Sequence, residues 1–356
     1  MMNAAQIQQK VKQGEIVEGE TLRGISLAQY DLSGGIFRHV DFTEADFAGC
    51  NLEQSLFIGC TLTESVFTGA QLKHCSFSES TLSFASFQGT ALPGLIFNEC
   101  NLQHTDFSRS ECENLQFNGC RLDHTRFRHA LLNKSAISEC TLEESDFTCA
   151  RLQKTTFHKS DLRRYIPTGA GFTQVNFFEC KQQGLDYRGL IFSQCQFTRN
   201  QLERADFTSA ELTRCLFHGS SMQKVNLSNV QAEQAQFIDA NLSHANCRAG
   251  RLNQSMWINA LLTSADFDRA QLSLARFTKS RAEGALFTDA ELEHADFSYA
   301  DVSHADFSGA RFNRTQFHRA TQQETRWGNK SGVLDNDPEL YAAEEWNEQP
   351  YQPEPR

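Results

Sequence analysis

Hydrophobic positions recur every fifth residue. From Leu22 to Phe317 in steps of five the chain visits sixty positions, and all but Pro167 and Gln182 are apolar. Twenty-seven of the twenty-nine phenylalanines stand on this register, with Phe84 and Phe178 the exceptions. Two residues upstream runs a second register of small residues, so the unit reads small, Asp or Asn or another polar residue, large apolar, polar, polar. Ala45-Asp46-Phe47-Ala48-Gly49 and Ala265-Asp266-Phe267-Asp268-Arg269 are examples. A period of five fits neither the 3.6 of a helix nor the 2 of a flat strand. A square coil of four units per turn points both registers inward, and its backbone amides bond to the coils above and below.

Within the register a longer period appears. Phe prevails at positions ending in 7 and Leu at those ending in 2, which predicts that Phe47, Phe67, Phe87, Phe107, Phe127 and Phe147 stack on one side and Leu52, Leu72 and Leu92 on the next. A coil of about twenty residues gives about fifteen coils and a span of roughly 70 Å at strand spacing.

Units such as Ala205-Asp206-Phe207-Thr208-Ser209 and Ala305-Asp306-Phe307-Ser308-Gly309 resemble the A(D/N)LXX consensus of the pentapeptide repeat family, and the resemblance covers residues from about 22 to 327. It implies an all-β fold, a right-handed quadrilateral parallel β-helix, here with short terminal helices as caps. Function is not implied, because one repeat serves many roles.

The expected organisation is an entry and capping helix over 1–21, solenoid over 22–162, irregular coils or a loop over 163–190, solenoid over 191–327, and an acidic tail with a short helix over 328–356. Residues 3–13 predict a helix with Ile7 and Val11 on one face and Gly14 as its stop. Asp337-Pro338-Glu339 predicts the start of the second helix, with an acidic cap and Pro in the first turn. That helix carries Leu340, Tyr341 and Trp346, and its end runs into Gln349-Pro350-Tyr351 and the residues beyond. The tail has two readings: a cap folded onto Phe312, Phe317 and Trp327, or a loose acidic-aromatic segment that docks on a partner.

The array is disturbed between Arg163 and Leu190. Inward positions there hold Tyr165, Pro167, Gln182, Leu185 and Leu190, interspersed with Gly169, Gly171, Gly184 and Gly189. Proline cannot donate to a ladder, and interruptions of regular arrays are where function concentrates. Arg163, Arg164, Tyr165 and Pro167 are therefore the expected partner-contact residues, with Tyr341 and Trp346 of the tail beside them.

Of twelve cysteines, eleven occupy the two inward registers and read as packing; only Cys149 lies off both. So many thiols without a Cys-x-x-Cys pair fit a reducing compartment, and a cytoplasmic location is expected. The start of the chain is too polar for a signal peptide, and no stretch is long enough for a membrane-spanning helix. His104, His124, His244 and His304 share one corner, and only His104 and His124 fall on adjacent coils, about 5 Å apart. No metal or cofactor is expected from this pattern.

The net charge of −11 is uneven. Residues 1–120 carry 6 basic and 14 acidic side chains, residues 121–164 carry 9 and 6, and residues 335–356 carry 1 and 7. No continuous basic stripe exists, which argues against direct nucleic-acid binding. No phosphate loop, metalloprotease motif or nucleophile elbow is present, so an enzyme is not expected. Three roles stay open. The first is a scaffold for a protein partner, with a bacterial type VI secretion component suggested by resemblance to arrays that begin with such a helix. The second is a mimic of DNA that binds DNA gyrase, as the resemblance to fluoroquinolone-protection proteins implies and the acidic first third favours. The third is a secreted bacterial effector. Monomer and dimer both stay open.

Overall fold

A computed structural model describes residues 2–348 and divides them between two units, Met1–Ala205 and Asp206–Arg356. In both, four corners per twenty residues close a square coil, and the coils pair in parallel at an offset of twenty residues. A large residue donates its amide to the carbonyl nineteen residues on, as Phe47 does to Val66 at 2.8 Å. The residue before it donates to the carbonyl twenty-one back, as Asp46 does to Ile25 at 2.9 Å. Within each unit most backbone groups of a coil are thus satisfied by its neighbours in sequence, which gives a solenoid its one-dimensional cohesion.

Unit 1 opens with helix α1 (Ala4–Lys12). Asn3 caps it, its side chain accepting from the Gln6 amide while the Gln6 side chain accepts from the Asn3 amide, and Gly14 ends it at φ 74°. Ile7 and Val11 are buried, as the pattern predicts. One side of the coils forms a ten-stranded parallel sheet from Val17–Glu18 to Gln196–Thr198, and a second forms a five-stranded sheet from Glu111–Glu113 to Ile191–Ser193. Single bridges such as Asp41↔Thr61 and Asp46↔Val66 join the other two sides.

The expected ring column is present. Phe47, Phe67, Phe87, Phe107, Phe127 and Phe147 stack at centroid distances of 4.6–5.1 Å. Phe37, Phe57, Phe77, Phe97 and Phe117 form a second column, which meets the first edge to face, as Phe67 and Phe77 do at 83°. Such offset and T-shaped pairs add to plain burial. Most hydroxyls in the small register are buried yet satisfied, Ser280 being an exception: Ser55 and Thr105 each donate at 2.9 Å to a carbonyl twenty-three residues back. Cys100, Cys120 and Cys140 fill the same register, and their thiols point at carbonyls in the same way. Eleven of the twelve cysteines are buried and Cys149 is exposed. Repeat aspartates turn the chain: Asp46 and Asp106 accept the amide two residues on at 2.9 and 2.8 Å.

Corner residues other than Arg164 adopt the left-handed conformation whether or not they are glycine, as at Glu44 (φ 60°) and Ala249 (φ 52°). The ladder enforces this, since the corner amide donates to the next coil, Ala249 to Asp268 at 2.9 Å. A β-carbon in that region costs about 1–2 kcal/mol. The exposed Ala249 has no side-chain function to lose, so Ala249→Gly is expected to raise stability by about 1 kcal/mol, seen as a higher midpoint in urea denaturation at unchanged slope.

Unit 2 repeats the scheme. Phe217, Phe237, Trp257, Phe277, Phe297 and Phe317 form one column, and the buried Trp257 donates its indole N–H to Ser255 Oγ at 2.7 Å. Phe267, Phe287, Phe307 and Trp327 form the other. Val333–Leu334 then pairs with Thr315–Gln316. Helix α2 (Pro338–Glu348) follows, its first turn capped by Asp337, which accepts from the Glu339 and Leu340 amides at 3.0 Å. The helix folds back onto Tyr299, His318 and Arg319, while the tail before it lies along the last coil, the Phe317 amide donating to the Leu334 carbonyl at 2.8 Å and Lys330 standing 4.1 Å over the Trp327 ring. The stretch from Gln349 onward lies outside the described residues. Among the described residues no helix is long and apolar enough to cross a membrane.

Candidate protein-contact groove

Residues 163–190 keep the coil, with bridges Asp161↔Lys181 and Asp146↔Ile166 in the ordinary register. No loop protrudes there; the coil itself is altered. On the side that holds Pro167, the large residue normally donates to the next coil, as Phe147 does to Ile166 at 2.9 Å. Pro167 has no N–H to give Asp186, and no bridge joins Ile166 to Asp186 among the described residues.

The core compensates by exchanging registers. Tyr165 occupies a small position but is only 3% exposed. Its ring stands edge-on between Phe147, 5.8 Å away at 74°, and Tyr187, 6.3 Å away at 66°, where Pro167 supplies no ring. Bringing two phenols inside requires acceptors. Tyr165 donates to the Tyr187 hydroxyl at 3.1 Å, and Tyr187 donates to Gln182 Oε1 at 2.8 Å. Gln182, the second break in the apolar register, is therefore the terminal acceptor of a buried polar chain; its own Nε2 has no partner. Burial pushes both phenols well above their ordinary pKa, so they stay protonated donors. Leu185 and Leu190 fill small positions with larger side chains and are nearly buried.

Outside, the lost ladder bond and the two glycine corners leave an open groove of about 460 Å³, lined among others by Arg164, Tyr165, Pro167, Gly184, Leu185 and Arg188. Ile166 on its rim is 39% exposed. The arginines around it are held by carboxylates. Arg163 makes a fork with Asp161 at 2.9 and 2.6 Å, Arg188 makes the same fork with Asp186, and Arg164 reaches Glu143 and Glu144. These bonds hold the carboxyls of Asp161 and Asp186 below the usual carboxylate range. An apolar floor with a rim of fixed ion pairs is suited to a protein surface, where preset charges orient the partner.

Four of the expected contact residues thus come together. Arg163 and Arg164 stand on the rim, Pro167 makes the gap, and Tyr165 forms part of the floor and does not project. Tyr341 and Trp346 belong to unit 2. Tyr341 packs against Arg319, whose guanidinium carbon lies 4.2 Å from the ring centroid, and Trp346 is 76% exposed. Sequence reasoning passed over Asp186, Arg188 and the pairing of Gln182 with Tyr187. The signal for the last was available, as a polar residue and a hydroxyl ring at successive inward positions. On another corner His104 and His124 stack at 4.7 Å, with Phe84 adding a third ring at 4.6 Å. No group of three or more His, Cys, Asp or Glu among the described residues is placed to hold a metal ion.

The family model described as a pentapeptide repeat region matches residues 90–165, 210–287 and 250–327. Two further pentapeptide repeat models match residues 21–81 and 188–219. The stretches between them include residues 166–187, the heart of the groove. No protein of curated function matches the chain. Among solved structures it is similar to HetL, a pentapeptide repeat protein involved in heterocyst differentiation regulation from the cyanobacterium Nostoc sp. strain PCC 7120, at 20% identity over 95% of this chain and 98% of that one, with a TM-score of 0.19. It is also similar to full-length QnrB1, a plasmid-mediated fluoroquinolone resistance protein, at 15% identity over 83% of this chain and 97% of that one, with a TM-score of 0.19. A pentapeptide repeat protein from the Arabidopsis thaliana thylakoid lumen is 21% identical over 32% of this chain and 68% of that one, with a TM-score of 0.20. At such scores these overlays assign no role, and the assignment rests on the repeats themselves: the chain belongs to the pentapeptide repeat family.

Proposed function

We propose that the protein is a non-enzymatic scaffold that binds a protein partner through the groove over residues 163–190. The observation that carries this reading is the Pro167 fault. Over most of the array the large side chains turn inward and ladder bonds close the sides of the coil, and a second gap between Gln71 and Ala91 keeps its ordinary core; here the coil opens while its core is rebuilt with Tyr165, Tyr187 and Gln182. The partner to test first is a bacterial type VI secretion component, on the strength of the capped amino-terminal helix leading into an array. A photo-crosslinking residue at Ile166, compared with one at Ile258 in unit 2, is expected to capture a discrete protein in the native cell only from position 166. Equal capture at both positions, or none at 166, removes the groove reading.

The acidic balance of residues 1–120 supports a second reading, a protector of DNA gyrase that occupies the DNA path. Supercoiling by purified gyrase that is unchanged at micromolar protein rejects it.

A further inference from the structure

Helix α2 is attached to unit 2 in an unusual way. A helix that merely covers a core end buries its apolar residues, yet here Trp346 and Leu340 are exposed, and the side chains turned to the wall are the Tyr341 ring and the Glu344 carboxylate. Glu344 accepts from the Tyr299 hydroxyl, from His318 Nε2 at 3.2 Å, and pairs with Arg319 Nε at 2.6 Å. The imidazole is set for this. Its Nδ1 accepts the Asp337 amide at 3.2 Å, which leaves the proton on Nε2, facing the carboxylate. His318 is 4% exposed, so the imidazole is part of the wall and not a surface group. Arg319 is positioned from two sides, by its amide on Asn336 Oδ1 at 2.7 Å and by its stacking over Tyr341.

The fit is incomplete. Arg319 Nε pairs with Glu344 without a hydrogen bond to it, and Arg319 Nη2 is buried with no hydrogen-bond partner. An arginine that faces a carboxylate ordinarily uses a two-bond fork. The wall therefore offers more donors than its present occupant takes up, and a carboxylate presented at a freer angle would use them.

We propose that Tyr299, His318 and Arg319 form a receptor for a helix bearing the pattern Tyr-x-x-Glu, which α2 fills in cis and a helix of that chemistry on a partner fills in trans. The Tyr341 ring lies against the guanidinium and the Glu344 carboxylate lies three residues on, one helical turn away on the same face. The arrangement makes α2 a built-in competitor. Its release frees the receptor and, with it, the exposed Trp346.

The test uses the full chain. The double change Tyr341→Ala and Glu344→Gln opens the receptor, and the probe is a fluorescein-labelled peptide with the sequence of residues 336–348, followed by anisotropy. The opened chain is expected to bind it at least tenfold more tightly than the unchanged chain, whose own α2 competes. Adding Arg319→Ala to the opened chain, or placing Gln at the Glu344 position of the peptide, is expected to abolish binding. Far-ultraviolet circular dichroism and thermal unfolding that match the unchanged chain establish that each variant is folded. If the folded, opened chain does not bind the peptide, if unchanged and opened chains bind equally, or if Arg319→Ala leaves binding intact, the receptor does not exist.

Discussion

Changing Phe107 to Ala is expected to cost about 3–5 kcal/mol of stability, whereas changing Phe84 to Ala costs no more than about 0.5 kcal/mol. Both are phenylalanines in the same unit, and both stack on another ring. Phe107 is fully buried between Phe87 at 5.0 Å and Phe127 at 5.1 Å, with Phe97 and Phe117 meeting it edge-on. Removing it interrupts one column, unseats its contacts with the other, and leaves a cavity that the ladder-held backbone cannot collapse to fill. Phe84 stands at a corner and is 56% exposed, stacked only on His104. Urea denaturation of the two variants separates these outcomes. Similar losses for both would mean that the five-residue register does not define the core.

The second large effect concerns the groove. Exchanging Tyr165→Ala together with Pro167→Phe restores the unit to small-polar-large, and the new phenylalanine enters the column between Phe147 and Tyr187. Its amide regains a donor for the Asp186 carbonyl, worth about 1 kcal/mol. Tyr187 loses a donor but keeps Gln182 Oε1 as its acceptor. Stability is expected to rise by about 1 kcal/mol, while capture of partner by the crosslinking residue at Ile166 falls at least tenfold. The two readouts move in opposite directions, which a simple loss of folding cannot produce. A variant that is more stable and still captures the partner would show that the groove is a packing irregularity without a binding role.

How far the sequence reached differs from part to part. The ring column of Phe47 to Phe147, the burial of Leu52, Leu72 and Leu92, the helix α1 with its buried Ile7 and Val11, and the pairing of His104 with His124 were readable because one residue of each repeat has one environment, and the period carries it from coil to coil. Asp46 and Asp106 were readable as turn formers for the same reason. The disturbed stretch was readable as a disturbance, through Pro167 and Gln182 breaking the register, but not as a groove. That Tyr165 would cross from the small register into the ring column depends on the space Pro167 leaves, and so on neighbours twenty residues away on each side. The site beneath α2 left no trace in the pattern at all. His318, Arg319 and Tyr299 occupy outward and corner positions, where the repeat tolerates almost any polar residue, and only the folded-back helix gives them a common target.

What the sequence alone determined, then, is everything that follows from local repetition: a square coil, its inward registers, and the ladder that joins each coil to the next. Contacts at a fixed offset of twenty residues behave like local structure, because each unit repeats the same choice. What only the tertiary structure decided is where that repetition fails. At Tyr165, Tyr187 and Gln182 the outcome rests on three side chains exchanging space and hydrogen bonds, and at Glu344 it rests on a helix returning to coils that precede it by up to forty-five residues. Neither arrangement is encoded in a period, since each is settled by which buried donors find acceptors once the chain has folded.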